Sequence, residues 1–267
     1  MDSYAHKLYL ADFLREPVIR RAIQALQLPV GSKGLDAGCG IGSHTFLLAE
    51  AVAPSGRVTG LDLSPNLLAQ AYEIAKSSNL SAQVTFKKGD INHLPFEENT
   101  FDWIWSVDCA GYAPGNPVSL LEELARVVKP GGILAILAWS YQQLLPGYPL
   151  LEARLNTTAA GLAPFKKGTT PETHFMRAPG WFHKVGLRET LGQTFVGDVQ
   201  VPMSDTIRDA LVSLFEMRWG GAERELSRKD RVEYQRLCQP ASPDFILNLP
   251  DYYAFFTYTL FHGKVAL

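Results

Sequence analysis

The chain has 267 residues, 46% of them hydrophobic, a formal net charge of -2, and no run of Lys or Arg longer than two. That length and apolar content suit one domain with a large core plus insertions, and the near-neutral balance excludes the basic footprint of a nucleic-acid binder. The longest apolar run, 133–139, is too short to cross a bilayer, and the opening MDSYAHKLYLADF lacks the basic-then-apolar order of a signal peptide.

Cys39, Cys109 and Cys238 stand alone and far apart, which suggests neither a disulfide framework nor a zinc knuckle. A cytoplasmic location without membrane insertion is expected.

After an N-terminal segment, short β-rich runs alternate with helical patterns between 33 and 137, the signature of a parallel sheet built from βαβ units. The runs are GLDAG, RVTGLDL, QVTFKKGD, FDWIWSVD and GGILAILAW. Between them, 43–52 and 65–78 carry apolar residues at helical spacing, with Ser64 as a helix cap and Pro65 in a tolerated first-turn position. The span 117–128 repeats this pattern and ends at VKPGG, where Pro130 stops a helix and the glycines permit a reversal.

The span 140–179 is turn-rich, with a short helical patch at 150–160, and reads as an insertion. Helix signal returns at GWFHKV, followed by a strand over 187–199 and a charged helical stretch over 204–238. The closing run 252–265, YYAFFTYTLFHGKV, suits a core strand that need not touch a ligand.

The stretch GLDAGCGIG sets a glycine turn between a strand and a helix, a place where backbone N–H groups favour negative charge or acceptors. Its glycines, Gly38, Gly40 and Gly42, are two apart, and Ser43 stands where a dinucleotide fingerprint needs its third glycine. No G-K-[ST] follows, so a Walker loop is absent. Asp36 suits a ligand with an ammonium group better than a pyrophosphate. Asp62 closes the next strand, where a carboxylate accepts from ribose hydroxyls, and Asp90 closes the one after, within reach of an adenine amino group.

DAGCGIG, GLDLSPNLL, KKGDINHLPFEENTFDWIWSVD and ELARVVKPGGILAI, in that order over 34–139, resemble the class I S-adenosylmethionine-dependent methyltransferases, nearest the ubiquinone-biosynthesis-like branch. The resemblance implies a doubly wound, Rossmann-like α/β fold whose seven-stranded sheet has an antiparallel last strand, with helical lid insertions. It assigns Asp36, Gly38 and Gly40 to the methionine moiety, Asp62 to the ribose, Leu63, Asp90 and Ile91 to the adenine, and Ser106 to the methionine end. S-adenosylhomocysteine would be the product, and no metal is expected.

Catalytic residues are less legible. Asp108 is a weak candidate because an acid there equally serves as a cap or ion-pair partner. The six histidines show no ligand spacing; His174, and His183 beside it, fall in or near the insertion, where a base would sit, but surface roles explain both. Cys109 has no nucleophile pattern and reads as a small packing residue.

A direct displacement needs positioning and exclusion of water more than acid–base groups. Connections leaving strand C-termini lie on the ligand side of a parallel sheet. One domain is therefore expected, with a core of 30–139, 180–199 and 251–265, and with caps from 1–29, 140–179 and 200–250. The caps carry Tyr4, Tyr9, Phe13, Tyr141, Tyr148, Phe165, Phe175, Phe215 and Trp219, which suggests a closed, largely apolar pocket for a small hydrophobic or aromatic acceptor. The rival expectation is a non-catalytic S-adenosylmethionine binder whose cap is a protein interface. A monomer or homodimer fits either.

Overall fold

The computed structural model describes residues 3–112, 115–159, 161 and 170–267. The strands are β1 (Lys33–Ala37), β2 (Arg57–Asp62), β3 (Val84–Lys88), β4 (Phe101–Val107), β5 (Val128–Gln143), β6 (Arg188–Gln200) and β7 (Tyr253–Lys264). They form one seven-stranded sheet in the order β3-β2-β1-β4-β5-β7-β6. The pairs from β3 through β5 are parallel, while β7 lies antiparallel between β5 and β6. The doubly wound Rossmann-like sheet with an antiparallel last strand is therefore the observed one.

The helices are α1 (Ser3–Ala25), α2 (Ser43–Ala51), α3 (Pro65–Lys76), α4 (Pro117–Arg126), α5 (Pro149–Asn156), α6 (Ala178–Val185), α7 (Asp205–Trp219) and α8 (Arg228–Cys238). Local chemistry starts several of them. The Ser64 hydroxyl accepts from the Leu67 amide at 3.3 Å ahead of α3, and Asn116 Oδ1 accepts from the Val118 amide at 2.9 Å ahead of α4. Both helices then begin with proline, whose fixed φ suits a first turn.

Strand alternation divides the core between the two faces of the sheet. On β5, Leu134 and Ile136 pack with Leu120, Leu124, Trp181 and Phe182 of α4 and α6. Their neighbours Ala135 and Leu137 point into the opposite cluster with Val18 of α1, Leu48 of α2 and Phe215 of α7. In α1, Ala11, Leu14, Val18 and Ala22 are buried at three- and four-residue spacing, so a continuous stripe of the helix faces the core. Helix α1 packs against α7 and β6, and Lys7 Nζ pairs with Glu216 of α7 at 2.8 Å.

Three elements differ from the sequence expectation. VKPGG is the bulged start of β5 rather than a reversal: Val128 pairs with Phe101, the register shifts before Ile133 meets Trp103, and Gly131 takes up φ 77°. Strand β5 also runs past 139, because Tyr141, Gln142 and Gln143 find partners in Thr257, Phe256 and Phe255 of β7. The charged stretch 204–238 is two helices, interrupted after Trp219 by Gly220 and Gly221.

Candidate functional site

The glycine loop leaves β1 at Ala37 and enters α2 at Ser43. Gly38 has φ 84° and Gly42 φ 83°, the left-handed region that favours glycine. A Cβ on Gly38 would stand 2.3 Å from Cys109 Sγ, so the loop also needs glycine for its approach to the chain after β4. The Gly38 and Cys39 amides donate to the Leu61 carbonyl at 2.8 and 3.0 Å, the Gly42 amide to the Cys39 carbonyl at 2.9 Å, and the Gly40 amide to Asp62 Oδ2 at 2.8 Å. The loop is thus tied at four points to itself and to the end of β2.

Beneath it, Asp36 is fully buried. Its Oδ2 accepts from Thr45 Oγ1 at 2.7 Å, while Oδ1 has no hydrogen-bond partner. Burial pushes this carboxyl up to about 7; the Thr45 hydrogen bond opposes the rise and the Asp62 charge adds to it. An orphaned acceptor below a loop free of side chains at Gly38 and Gly40 fits a ligand with a cationic amino-acid end.

Asp62 is half-buried; its Oδ1 accepts from the Ser64 amide at 2.8 Å, and the carboxylate lines a pocket of about 320 Å³. Leu63, 64% exposed, follows it. The parallel register sets Asp62 opposite Lys88, and the Gly89 amide donates to the Asp62 carbonyl at 3.0 Å, so Asp90 and Ile91 follow just past the end of β3, next to the end of β2. Asp90 Oδ1 accepts from both the backbone and the side-chain amide of Asn92 at 2.8 Å; these bonds hold its carboxyl below the usual range. Ile91 packs at the edge of the α4-side cluster. Of these four, Asp62 lines the pocket, and Leu63, Asp90 and Ile91 stand beside it outside the lining. Ser106, by contrast, has no exposed surface: its hydroxyl donates to the Ala37 carbonyl at 2.7 Å and accepts from the Ala110 amide at 3.1 Å, bracing the loop from behind.

The facing wall of the pocket comes from α1, through Tyr4, Leu8, Asp12 and Arg15, together with His44 of α2 and Asp108 after β4. Arg15 Nη2 binds Asp12 Oδ1 at 2.6 Å, and its Nη1 lies 3.4 Å from Asp108 Oδ2. Asp108 has φ 47°; its Oδ1 accepts from the Trp139 amide at 2.9 Å and its Oδ2 from the Tyr258 hydroxyl at 2.7 Å. Both oxygens are therefore engaged, and the candidate catalytic acid stands in the pocket wall as an anchor joining α1, β5 and β7. His44 is buried, with Nε2 3.6 Å from Asp12 Oδ1 and no hydrogen bond to it.

His174 does not line this pocket. Its Nδ1 accepts from the Met176 amide at 3.1 Å, starting a 3₁₀ turn on the exposed surface, and His183 is exposed on α6. Burial pushes the Cys109 thiol up to about 12, with the Asp62 and Asp36 charges adding, which suits a packing residue against Gly38 rather than a nucleophile.

Most of the aromatics expected to line the pocket stand elsewhere. Of the nine cap aromatics, Tyr4 lines the pocket, Phe175, Phe215 and Trp219 are core residues, Tyr9, Phe13 and Tyr141 are exposed, and Tyr148 lies beneath the Arg236 guanidinium. Phe165 lies outside the described residues. Sequence reasoning missed Asp12, Arg15, His44 and Tyr258; the available signals were an acid and a base three apart and a histidine just behind the glycine turn. Among the described residues no group of three or more His, Cys, Asp or Glu could hold a metal ion, and no helix is long and apolar enough to cross a membrane.

A parallel sheet with a glycine loop and strand-end acids around one pocket at its C-terminal edge defines a nucleoside-binding α/β protein. The methyltransferase-domain family matches residues 29–174, and the chain belongs to that family, the S-adenosylmethionine-dependent methyltransferases. A demethylmenaquinone methyltransferase from Bacillus cytotoxicus is 36% identical over 148 residues, 54% of this chain and 60% of the relative, so the match spans little more than half of either protein. The YcgJ protein of Bacillus subtilis has a similar fold, with a TM-score of 0.58 at 17% identity, covering 94% of this chain and 99% of the other. A SAM-dependent methyltransferase from Aquifex aeolicus gives a TM-score of 0.52 at 23% identity, covering 70% and 90% of the two chains.

Proposed function

We propose that the chain transfers a methyl group from S-adenosylmethionine to a small acceptor with an apolar, aromatic-type body and a polar head. The observation that carries this reading is the shared pocket: the glycine loop and Asp62 form one wall, and a charged, partly apolar face of α1 forms the other. The named relative is a demethylmenaquinone methyltransferase, which supports an acceptor of quinol-like size.

Bound S-adenosylmethionine supplies a methyl group on a sulfonium, which departs as a neutral thioether. The chain's own work is to bind and orient. Asp36, fully buried beneath the loop, acts on the ammonium of the amino-acid end through its charge and not by contact. Asp62 keeps lone pairs for the ribose hydroxyls, and Leu63 and Ile91 flank the adenine while Asp90 accepts from its amino group. Tyr4 and Leu8 of α1 cover the acceptor and exclude water from the transfer.

Calorimetry with S-adenosylhomocysteine, followed by transfer from labelled S-adenosylmethionine to a panel of phenols, quinols and amines, tests the reading. Binding with turnover of a quinol or phenol is the expected result. Binding without turnover of any acceptor returns the non-catalytic alternative, and stabilisation by NAD alone overturns both.

A further inference from the structure

We propose that His44 is the proton acceptor of the transfer step, with Asp12 as its positioning residue, so that the methyl acceptor carries an ionisable hydroxyl. This rests on the methyl-transfer reading and adds to it a named base and a chemical requirement on the substrate.

Four observations meet at this residue. His44 is in the first turn of α2, directly behind the glycine loop, and it lines the same pocket as Gly38, Gly40 and Asp62. Its side chain is 10% exposed, and its buried Nε2 has no hydrogen-bond partner. Asp12 Oδ1 is 3.6 Å from Nε2, and Asp12 is itself fixed by Arg15 at 2.6 Å. The other acids around the pocket are committed: Asp108 to Trp139, Tyr258 and Arg15, and Asp62 to the Gly40 and Ser64 amides.

Burial lowers the His44 pKa; Asp12 opposes this most strongly, Arg15 adds to the lowering, and Asp108 and Glu16 oppose it. These charges come from α1 and from the chain after β4. The imidazole is therefore neutral near pH 7, with a lone pair on one nitrogen. A proton on Nε2, toward Asp12, leaves that lone pair on Nδ1.

In the step, the acceptor O–H bond breaks, its proton passes to Nδ1, and its electron pair stays on the acceptor. That pair, on the oxygen or delocalised to a ring carbon, forms the new bond to the methyl group as the S–CH₃ bond breaks with its electrons going to sulfur. The imidazolium, beside Asp12, then returns its proton to solvent. Without a proton to lose on the acceptor, His44 has nothing to receive; an ionisable hydroxyl is the acceptor group that suits a neutral imidazole beside an acid.

The test uses the full chain loaded with S-adenosylhomocysteine and 4-nitrophenol, whose absorbance reports its ionisation. In the wild type the bound phenol is expected to ionise about one pH unit or more below the free phenol, about a tenfold gain in anion at a given pH. His44→Gln should abolish that shift while leaving S-adenosylhomocysteine affinity unchanged, and Asp12→Asn should reduce it. With a turned-over phenol or quinol, His44→Gln should lower kcat by about 10²-fold and remove the ascending limb of the pH profile.

Nitrogen-15 NMR of labelled histidine in the wild type gives a reading independent of any variant: the His44 signals should pass from neutral ring to imidazolium as the phenol binds. An unshifted bound phenol, failure of the phenol to bind, an equal shift in His44→Gln, or a ring that stays neutral overturns the assignment. Failure of the wild type to bind S-adenosylhomocysteine instead overturns the methyl-transfer reading itself.

Discussion

The two walls of the pocket are built on different principles. The donor wall, from Gly38 to Asp62, is mostly backbone: left-handed glycines, strand ends in register and a carboxylate placed by where a strand stops. The α1 wall is mostly side chain, and its bonds join residues far apart in the chain, Arg15 to Asp108 and Asp108 to Tyr258. A wall made of main chain and strand ends leaves a short-range trace in the sequence. One made of long-range side-chain contacts leaves almost none.

The steepest test of this contrast falls on the donor wall. Gly38→Val places a branched side chain against Cys109 Sγ at φ 84°; it is expected to cost about 2–5 kcal/mol of stability and to abolish S-adenosylhomocysteine binding, read by thermal unfolding and calorimetry. Wild-type binding in this variant would show the loop to be more compliant than its bonds suggest.

Asp36 gives the next effect, through pH. Its carboxyl is held at about 7 against an ordinary 3.8, so the folded chain binds this proton more tightly than the unfolded chain. The resulting stability is complete below 3.8 and is lost as pH rises through about 7. Asp36→Asn should therefore gain on the wild type across that window, by at most about 4 kcal/mol in denaturant titrations. A difference that is flat with pH would contradict the buried acid.

Asp62→Ala ranks third: it should weaken S-adenosylhomocysteine by about 1.5–3 kcal/mol, through lost ribose contacts and a released Gly40 amide. Unchanged affinity by calorimetry would remove Asp62 from the site. The smallest expected change is on the α1 wall. Tyr258→Phe deletes one hydrogen bond to Asp108 and should cost about 1 kcal/mol of stability, with turnover reduced and cofactor affinity intact. A loss of cofactor affinity there would mean that the walls are not independent.

The sequence carried the strand and helix alternation, the glycine turn and the acids closing β2 and β3, because each is a local pattern with a local cause. Ser106 was legible as a position and not as a role, since burial by Ala37 and Ala110 comes from packing. Asp12 and Arg15 belong to no motif, and only the packing of α1 brings them to the pocket. Phe215 and Trp219 suited an acceptor pocket by composition, yet α7 turns them into the core. His44 carries no metal-ligand spacing, and a lone imidazole whose one acid neighbour is 32 positions away in the chain leaves no local pattern.

The amides of Gly38, Cys39, Gly40 and Gly42 each have an internal acceptor. A phosphate-binding turn works by leaving its N–H groups pointing outward for an anion. Here those four are already engaged, so the loop discriminates by contour instead of by charge. A change of ligand toward a nucleotide phosphate would first have to break the bonds that hold the loop in shape.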